Sequence, residues 1–387
     1  MRWDSLRLHD GGQDRSGLAD PQQSGLPGPQ QPAVLFGRDA VARTFDTPGF
    51  RGMTFYEVHA RSIINAVPSR SRMPFRATIN PYRGCGHACT YCFARNTHTY
   101  LDLDAGLDFD SKIIVKVNAA ELARKELSQP RWNGEHIAMG TNVDCYQRAE
   151  GRYALMPGII GALRDARSPF SILTKGTLLL RDLDLLEEAA EVTEVGLSLS
   201  VGFADAELSQ SAEPGTPSPQ RRLDACSQIT ARGLRCGVLM GPVLPFLSDS
   251  PSQLAETVRQ IAAAGAASVS PVVLHLRPGA REWFLSWLAE RHPEVVASYR
   301  QLYGSGAYAP KKYTLEIAAR VSDLARQFGV GRASPAAVRR PAPRREPARP
   351  RRPAPSPERS QRLARGAPAE RAVEHAESGG EVQLTLL

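Results

Sequence analysis

The sequence predicts an α/β fold, a partial (β/α)6 barrel of TIM type with parallel strands. Two observations predict it. Short apolar segments of strand length recur along the chain, and helix-forming segments with their own start and stop signals separate them. The six strand candidates are residues 75–80, 136–141, 170–174, 195–200, 235–240 and 268–274, with an extra short strand at 113–117. In such folds the chemistry lies at the carboxyl ends of the strands.

Helix boundaries between these strands are marked by capping residues. Ser218 and Ser250 each precede a proline, which gives an N-cap followed by proline at the first helical position. Asn118 and, three residues later, Glu121 resemble a capping box. Two glycines, Gly233 and Gly265, stand where C′ residues belong.

The charge of the chain is unevenly distributed. The 387 residues carry a net charge of +8, and residues 331–387 hold 12 Arg against 6 Glu, so that tail alone carries +6. The tail is rich in arginine and proline, and residues 1–47 are rich in Gly, Pro, Gln and Asp. We therefore expect one folded domain at 48–330 between a mostly disordered N-terminal segment, 1–47, and a disordered tail, 331–387.

Several protein classes are disfavoured by composition. No stretch approaches the roughly 18 uninterrupted apolar residues of a membrane span. The first residues contain no apolar segment of the kind that a secretory signal needs. Six cysteines in 387 residues are too few for a disulfide scaffold. We expect a cytoplasmic, monomeric protein in which clustered cysteines serve a metal or redox site.

The segment that follows the first barrel strand carries Cys85, Cys89 and Cys92, spaced C-x3-C-x2-C. Three thiolates on one tight loop can bind three irons of a cubane and leave the fourth iron without a protein ligand. Gly84 and Gly86 let the backbone wrap closely around such a cluster. The loop is therefore a candidate [4Fe-4S] site with one open iron.

Zinc is the alternative metal for this loop, with the three cysteines and His87 as its ligands. Structural zinc usually uses two separated cysteine pairs, and the chain has one such cluster. A purely structural four-iron cluster would need a fourth cysteine. Of the remaining cysteines, Cys226 and Cys236 fit buried core positions, and Cys145 stays ambiguous.

The pattern C-x3-C-x-aromatic-C after the first strand of a βα barrel resembles the radical S-adenosylmethionine (SAM) superfamily. In that family the open iron chelates the amino and carboxylate groups of SAM, and reductive cleavage yields a 5′-deoxyadenosyl radical that abstracts hydrogen from a substrate. The longer motifs resemble the spore photoproduct lyase-like, DNA repair photolyase-like branch over residues 48–328. They are NPYRGC, GTNVDCYQRAE, ILTKGTLLLRDLDLL, EPGTPSPQRRL, GPVLPFLSD and LHLRPGAREWF.

This resemblance implies where SAM binds. The segment at Gly140, Thr141 and Asp144 would accept hydrogen bonds from the SAM amino group. Lys175, one of only six lysines, would bind the SAM carboxylate as a point charge. The full set of predicted cofactor-binding residues is Tyr91, Gly140, Thr141, Asp144, Lys175, Ser198 and Met240.

The second strand end departs from the branch pattern. Val143 lacks the usual hydroxyl, and Cys145 stands where proline is usual. Thr141 occupies the position of the hydrogen-donating cysteine of spore photoproduct lyase. The O–H bond of a threonine is too strong to donate a hydrogen atom to a carbon radical, so Thr141 cannot take over that role. Cys145 is therefore either a displaced hydrogen-atom donor, hence catalytic, or a buried structural thiol.

Nucleic acid is the favoured substrate. Arg277 follows the sixth strand, where it either contacts a substrate phosphate or forms a stabilising ion pair. The arginine-rich tail would attract polyanions without reading sequence. The terminal QLTLL resembles the bacterial sliding-clamp-binding pentapeptide. Its predicted partner-binding residues are Gln383, Leu384, Leu386 and Leu387.

We therefore expect a lyase- or oxidoreductase-like radical SAM enzyme with a [4Fe-4S] cluster, SAM, an external electron donor and damaged DNA or another nucleic acid as substrate. Two alternatives stay open. One is a radical SAM enzyme acting on a peptide or small molecule. The other is a clamp-associated iron–sulfur protein that does not cleave SAM.

Overall fold

The computed structural model describes residues 40–68, 71 and 73–331. Its strands, in chain order, are β1 Val41–Arg43, β2 Thr54–Val58, β3 Ile64–Ala66, β4 Ala77–Ile79, β5 Tyr82–Arg83, β6 Lys112–Lys116, β7 Ile137–Met139, β8 Phe170–Thr174, β9 Val195–Ser200, β10 Cys236–Val243 and β11 Ser268–Val273. The predicted tail and its terminal pentapeptide lie outside the described residues.

Between β5 and β11, helices of the described residues separate the successive strands. The α-helices of this part of the chain are α1 Leu107–Ser111, α2 Ala119–Leu127, α3 Glu150–Tyr153, α4 Leu155–Asp165, α5 Leu183–Val192, α6 Ala206–Ala212, α7 Pro219–Ala231, α8 Pro251–Ala263, α9 Ala280–Arg291, α10 Val296–Tyr303 and α11 Lys311–Gln327. Short 3₁₀ helices occur at Pro48–Phe50, Phe93–Thr97, Thr99–Leu101, Thr177–Asp182 and Pro293–Val295. No helix within this part of the chain is both long enough and apolar enough to cross a membrane.

A seven-stranded sheet, ordered β11-β10-β9-β8-β7-β4-β3, forms the partial barrel. Within this sheet the pairs that join β4, β7, β8, β9, β10 and β11 are all parallel, and β3 adds to β4 in the antiparallel direction. The six parallel strands coincide with the six predicted ones. This confirms the predicted α/β partial barrel, whose strand ends collect the site residues on one edge.

A second, four-stranded sheet has the order β1-β2-β6-β5. The extra strand predicted at 113–117 is β6, and it pairs in parallel with β2 rather than with a barrel strand. Strand β1 falls inside the segment 1–47, so the end of that segment joins the fold. This sheet lies beside the cysteine loop because β5 leads directly into it.

The helix starts were predicted with mixed success. Ser218 and Ser250 accept hydrogen bonds from the third residue of α7 and α8, and Ser250 forms a full capping box. Asn118 precedes α2, but its side chain makes no cap. It bonds instead to both backbone groups of Ala60, at 2.9 Å each. A long-range contact therefore replaces the predicted local one.

The two faces of the barrel sheet differ in composition. Buried apolar side chains such as Ile172, Leu199 and Val238 pack under the helices. On the opposite face, one register row starts at Leu173 of β8 and continues with small residues, where Ser198 pairs with Gly237 and Gly237 with Ser268. Small side chains leave room above that face, so it is the wall against which a ligand can lie.

Candidate active site

The cysteine loop is fastened to the barrel by hydrogen bonds along its length. Gly86 N donates to Oε1 of the buried Gln147 at 3.0 Å, and Nε2 of Gln147 donates to Gly84 O at 2.8 Å. Further along, Arg95 Nη2 donates to Cys89 O at 2.9 Å. A loop held this way presents its side chains in a fixed arrangement.

All three cysteines of the loop are free thiols, with Cys85 and Cys89 buried. Burial, followed by the nearby charges of Asp144 and the other two thiols, raises the pKa of Cys85. Burial is also the first cause of the raised pKa values of Cys89 and Cys92. Thiols in such a setting become thiolates when a metal cation replaces their protons.

The surroundings of this loop fit a bound cluster. Nε2 of His87 and Oγ1 of Thr90, both buried, have no hydrogen-bond partner among the residues that the structure describes. Gly84 has φ +80°, and a Cβ there would lie 2.8 Å from Lys112 O. The backbone is thus closely folded around the cysteines, and two polar atoms within it are left for a bound group.

No three His, Cys, Asp or Glu side chains among the described residues converge on a point that suits one metal ion. A cubane makes a different demand, because each cysteine binds a separate iron. The C-x3-C-x2-C spacing therefore fits the cluster by its donor set.

Asp144 lies between the cysteine loop and the end of β8. Its Oδ1 accepts from Thr174 Oγ1 at 2.6 Å and from Tyr146 N at 2.9 Å, and its Oδ2 accepts from Lys175 N at 2.7 Å. His87 Nδ1 lies 3.3 Å from Oδ2. Burial alone would raise the pKa of Asp144, but these partners lower it to about 2. With both oxygens engaged, the carboxylate is suited to positioning the loop and leaves nearby backbone carbonyls for a ligand.

Lys175 follows β8 and belongs to a buried polar network. Its Nζ donates to Ser200 Oγ at 2.9 Å, lies 4.0 Å from Glu213 Oε1 and lies 5.7 Å from the centre of the Tyr91 ring. Arg222 Nη2 donates to Glu213 Oε2 at 2.5 Å, and Tyr91 OH donates to Glu213 Oε1.

The charges of this network suit an anionic ligand. Burial alone would raise the pKa of Glu213, but Arg222 and Lys175 lower it below its usual value, so the carboxylate is charged. Two cations thus share one anion in a buried place. The surplus positive charge at Lys175 can be balanced by a bound carboxylate.

The other predicted cofactor residues fall on the same edge of the barrel. Gly140 has φ +81°, and a Cβ there would meet Leu173 O at 1.7 Å, so the turn after β7 requires glycine. Thr141 is half-buried beside it. Ser198 lies on the small-residue face, whereas the Met240 side chain is buried in the core.

Two residues at the second strand end lie inside the core. The side chain of Cys145 is fully buried, and Val143 is also buried. Burial is the main cause of the raised pKa of Cys145. These positions favour the structural interpretation of the Cys145 thiol over that of a hydrogen-atom donor.

Arg277 is exposed just beyond β11. Its guanidinium lies 5.4 Å from the centre of the Phe93 ring, and its Nη2 lies 3.1 Å from Tyr308 OH. Within the part of the chain that the structure describes, it forms no ion pair. The ion-pair alternative for Arg277 is therefore absent from this region.

Sequence reasoning missed three buried site residues, Gln147, Glu213 and Arg222. All three lie in motifs on which the family resemblance rests, but no role was predicted for them. Gly215 gives a structural reason for the EPGTPSP motif, since a Cβ there would lie 2.1 Å from Gly86 O. The motif packs directly on the cysteine loop, a contact that no local pattern reveals.

Known proteins resemble this chain in sequence and in fold. An uncharacterized protein of Mycobacterium tuberculosis is 50% identical over 306 residues, 79% of this chain and 88% of that protein. An uncharacterized protein of Methanocaldococcus jannaschii is 31% identical over 179 residues, 46% of this chain and 64% of that protein.

Among solved structures, spore photoproduct lyase complexed with dinucleoside spore photoproduct matches with a TM-score of 0.55 at 16% identity. The match covers 79% of this chain and 85% of that one, and at this identity it shows a shared fold. The family model of the radical SAM superfamily matches residues 79–260, which include the cysteine loop, Asp144 and Lys175. This chain belongs to the radical SAM superfamily.

Proposed function

We propose that this protein is a radical SAM enzyme whose substrate is a nucleic acid. The observation that carries the proposal is the cysteine loop held against Asp144 and next to Lys175 at the carboxyl edge of the barrel. The superfamily uses a [4Fe-4S] cluster and SAM. When bound, they supply an electron and a 5′-deoxyadenosyl radical that abstracts hydrogen from the substrate.

The protein's own residues hold and orient these groups. Cys85, Cys89 and Cys92 would bind three irons, and the burial of Cys85 and Cys89 would limit the access of water to them. Lys175 would bind the SAM carboxylate, and Glu213 and Ser200 would hold the ammonium group of this lysine in place.

The remaining predicted contacts complete the SAM site. Backbone carbonyls of the turn at Gly140 and Thr141 would accept from the SAM amino group, since Asp144 is already engaged. The Tyr91 ring beside Lys175 and the small-residue face at Ser198 would flank the rest of the ligand. The Met240 backbone would lie along the adenine of SAM.

Support for a nucleic acid substrate comes from two directions. Arg277 is exposed at the barrel mouth and free of carboxylate partners among the described residues. In addition, a protein that shares the fold, spore photoproduct lyase, has been solved in complex with a dinucleoside spore photoproduct. After hydrogen abstraction, the fate of the substrate radical would decide whether the enzyme acts as a lyase or as an oxidoreductase.

Anaerobic reconstitution tests the radical SAM part of this proposal. The wild-type chain should bind iron and sulfide, show a broad iron–sulfur absorbance, and release 5′-deoxyadenosine from SAM when a reductant is present. A Cys85→Ala, Cys89→Ala, Cys92→Ala triple variant should lose both signals. Retention of both in that variant would refute the assignment.

The substrate is tested by deuterium transfer. Mass spectrometry should detect deuterium in 5′-deoxyadenosine after incubation with deuterated damaged DNA. Transfer from a deuterated peptide or small molecule, with none from nucleic acid, contradicts the substrate assignment.

The partners of the proposed enzyme follow from the same chemistry. An external electron donor would reduce the cluster. We further propose a sliding clamp as the partner of Gln383, Leu384, Leu386 and Leu387, and a monomeric, cytoplasmic enzyme.

A further inference from the structure

Four side chains cluster at the barrel mouth outside the cofactor site. They are Phe93, His275, Arg277 and Tyr308, which we name the rim platform. The rings of His275 and Tyr308 meet edge-on with centroids 4.7 Å apart. Arg277 joins the two ends of the platform, since it contacts the Phe93 ring and the Tyr308 hydroxyl.

The fold holds the rim platform in place from three segments. Phe93 follows the cluster ligand Cys92 and begins the 3₁₀ helix Phe93–Thr97. Tyr308 is tied to the end of β11 by an antiparallel bridge with His275. The turn after Arg277 packs on the 3₁₀ helix, because a Cβ at Gly279 would lie 3.2 Å from Asn96 Cβ.

Despite this support, the platform presents its rings to solvent. Phe93 is 42% exposed and Tyr308 is 54% exposed. Arg277 is exposed too and, within the described residues, lies in no ion pair with a carboxylate. Exposed aromatic rings clustered around a guanidinium that has no carboxylate partner in this region are typical of a binding surface.

We propose that the rim platform recognises an unpaired or extruded nucleobase together with its adjoining phosphate. The inference rests on the proposed function and specifies how its substrate is held. A base can stack on Phe93 or Tyr308 whatever its identity, since every base has a π face. Arg277 adds a planar cation that pairs with a phosphate in bidentate fashion.

The chemistry of the platform favours this occupant over a peptide. A peptide in an extended or helical form is usually held by a free sheet edge or by an apolar groove. The platform offers rings and a guanidinium instead, the combination that binds single-stranded nucleic acid. Because Phe93 directly follows Cys92, a base stacked there would lie beside the cysteine loop.

Fluorescence titration of the full-length reconstituted protein tests the platform. The probe is a single-stranded oligonucleotide carrying one 2-aminopurine, whose emission is quenched on stacking, with heparin present to suppress binding by the basic tail. Phe93→Ala and Tyr308→Ala should each weaken binding by roughly 5- to 150-fold and reduce the quench. Arg277→Lys keeps the charge but should weaken binding through loss of planar contact.

Matched variants on α11 serve as controls. Leu315→Ala removes a comparably exposed apolar side chain, and Arg320→Ala removes an exposed arginine. Both should bind and quench like the wild type. Iron content and thermal unfolding of each platform variant verify that it folds.

Two outcomes overturn the platform. In one, the platform variants bind and quench like the controls. In the other, the wild type shows no quench and binds an acidic peptide of equal length in a manner that Phe93→Ala abolishes. Wild-type formation of 5′-deoxyadenosine without oligonucleotide reports separately on the radical chemistry, so stacking without SAM cleavage would contradict only the proposed reaction.

Discussion

Glu213 shows how one buried carboxylate organises the site. It accepts hydrogen bonds from Arg222 and Tyr91 and faces Lys175 at 4.0 Å. Burying an arginine is tolerated only when its charge is paired, so the carboxylate keeps Arg222 in the core. Through Arg222, which also donates to Ser200 O at 2.8 Å, it ties α6 and α7 to the end of β9.

Replacing Glu213 by Gln should therefore destabilise the fold. The variant leaves Arg222 without its counter-charge, and breaking a buried pair costs about 3 to 5 kcal/mol in the free energy of unfolding. Denaturant titration measures this loss. As a control, Glu316→Gln breaks the exposed pair with Arg320 and should cost less than about 1 kcal/mol.

The same carboxylate gives a pH dependence with a defined sign. The folded-state pKa of Glu213 is lowered, so its contribution is complete above the unfolded value near 4.5 and is lost as the pH falls below it. The stability gap between wild type and Glu213→Gln should be constant from neutral pH down to about 5 and narrow below 4.5. A gap that widens on acidification would contradict this assignment.

Lys175 should affect SAM without affecting the cluster. Lys175→Met removes the ammonium group that we assign to the SAM carboxylate, while the cysteines keep their places. A charged hydrogen bond contributes about 1.5 to 3 kcal/mol, so SAM binding should weaken roughly 10- to 150-fold. Equilibrium dialysis measures SAM affinity, and iron analysis verifies the cluster.

The matched control for Lys175 is Lys312→Met on the exposed side of α11. It should bind SAM as the wild type does. If Lys175→Met loses iron together with SAM affinity, the lysine supports the loop rather than the ligand.

At the scale of elements, the turn after β7 makes the clearest demand on sequence. Gly140 has a positive φ, and its Cα lies so close to β8 that a Cβ would meet Leu173 O at 1.7 Å. That distance is far inside any van der Waals contact, so either the turn or β8 must move.

A comparison of two glycines separates close approach from backbone strain. Gly134 has φ +75°, and no atom lies within 4 Å of the place that a Cβ would occupy, so Gly134→Ala should cost only about 1 kcal/mol. Gly140→Ala adds a backbone clash and should cost at least about 3 kcal/mol, measured as the free energy of unfolding. Equal costs would mean that the turn relaxes freely.

The six parallel strands of the barrel were predictable because their signal is local, whereas β1, β2, β3 and β5 were not predicted. Residues 170–174 and 195–200 match β8 and β9 at both ends, since a buried parallel strand is a short apolar run with turn signals beside it. The cysteine loop was predictable for a similar reason, since its spacing is local. The role of Glu213 was not, because its partner Tyr91 lies 122 residues earlier in the chain and no sequence spacing links that tyrosine to Glu213 and Arg222.

At the scale of the whole molecule, the charge divides between regions with different proposed tasks. Residues 331–387 hold +6 of the total +8, so the remaining 330 residues are close to neutral. A near-neutral body cannot attract nucleic acid by its overall field, and local groups such as Arg277 must then orient the substrate. The basic segment would supply the long-range attraction, which falls steeply with salt.

We expect the full chain to bind a bacterial sliding clamp through its terminal pentapeptide, QLTLL. Gln383 would enter a polar pocket, and Leu386 and Leu387 an apolar one, as an extended peptide lies in a groove. In a pull-down with purified clamp, a chain ending at Gly380 should lose binding, and so should Gln383→Ala. Glu381→Gln, outside the motif, should bind as the full chain does. If the clamp retains all four proteins equally, it binds another surface of the protein and not the pentapeptide. The pentapeptide then cannot raise the effective concentration of the enzyme near DNA.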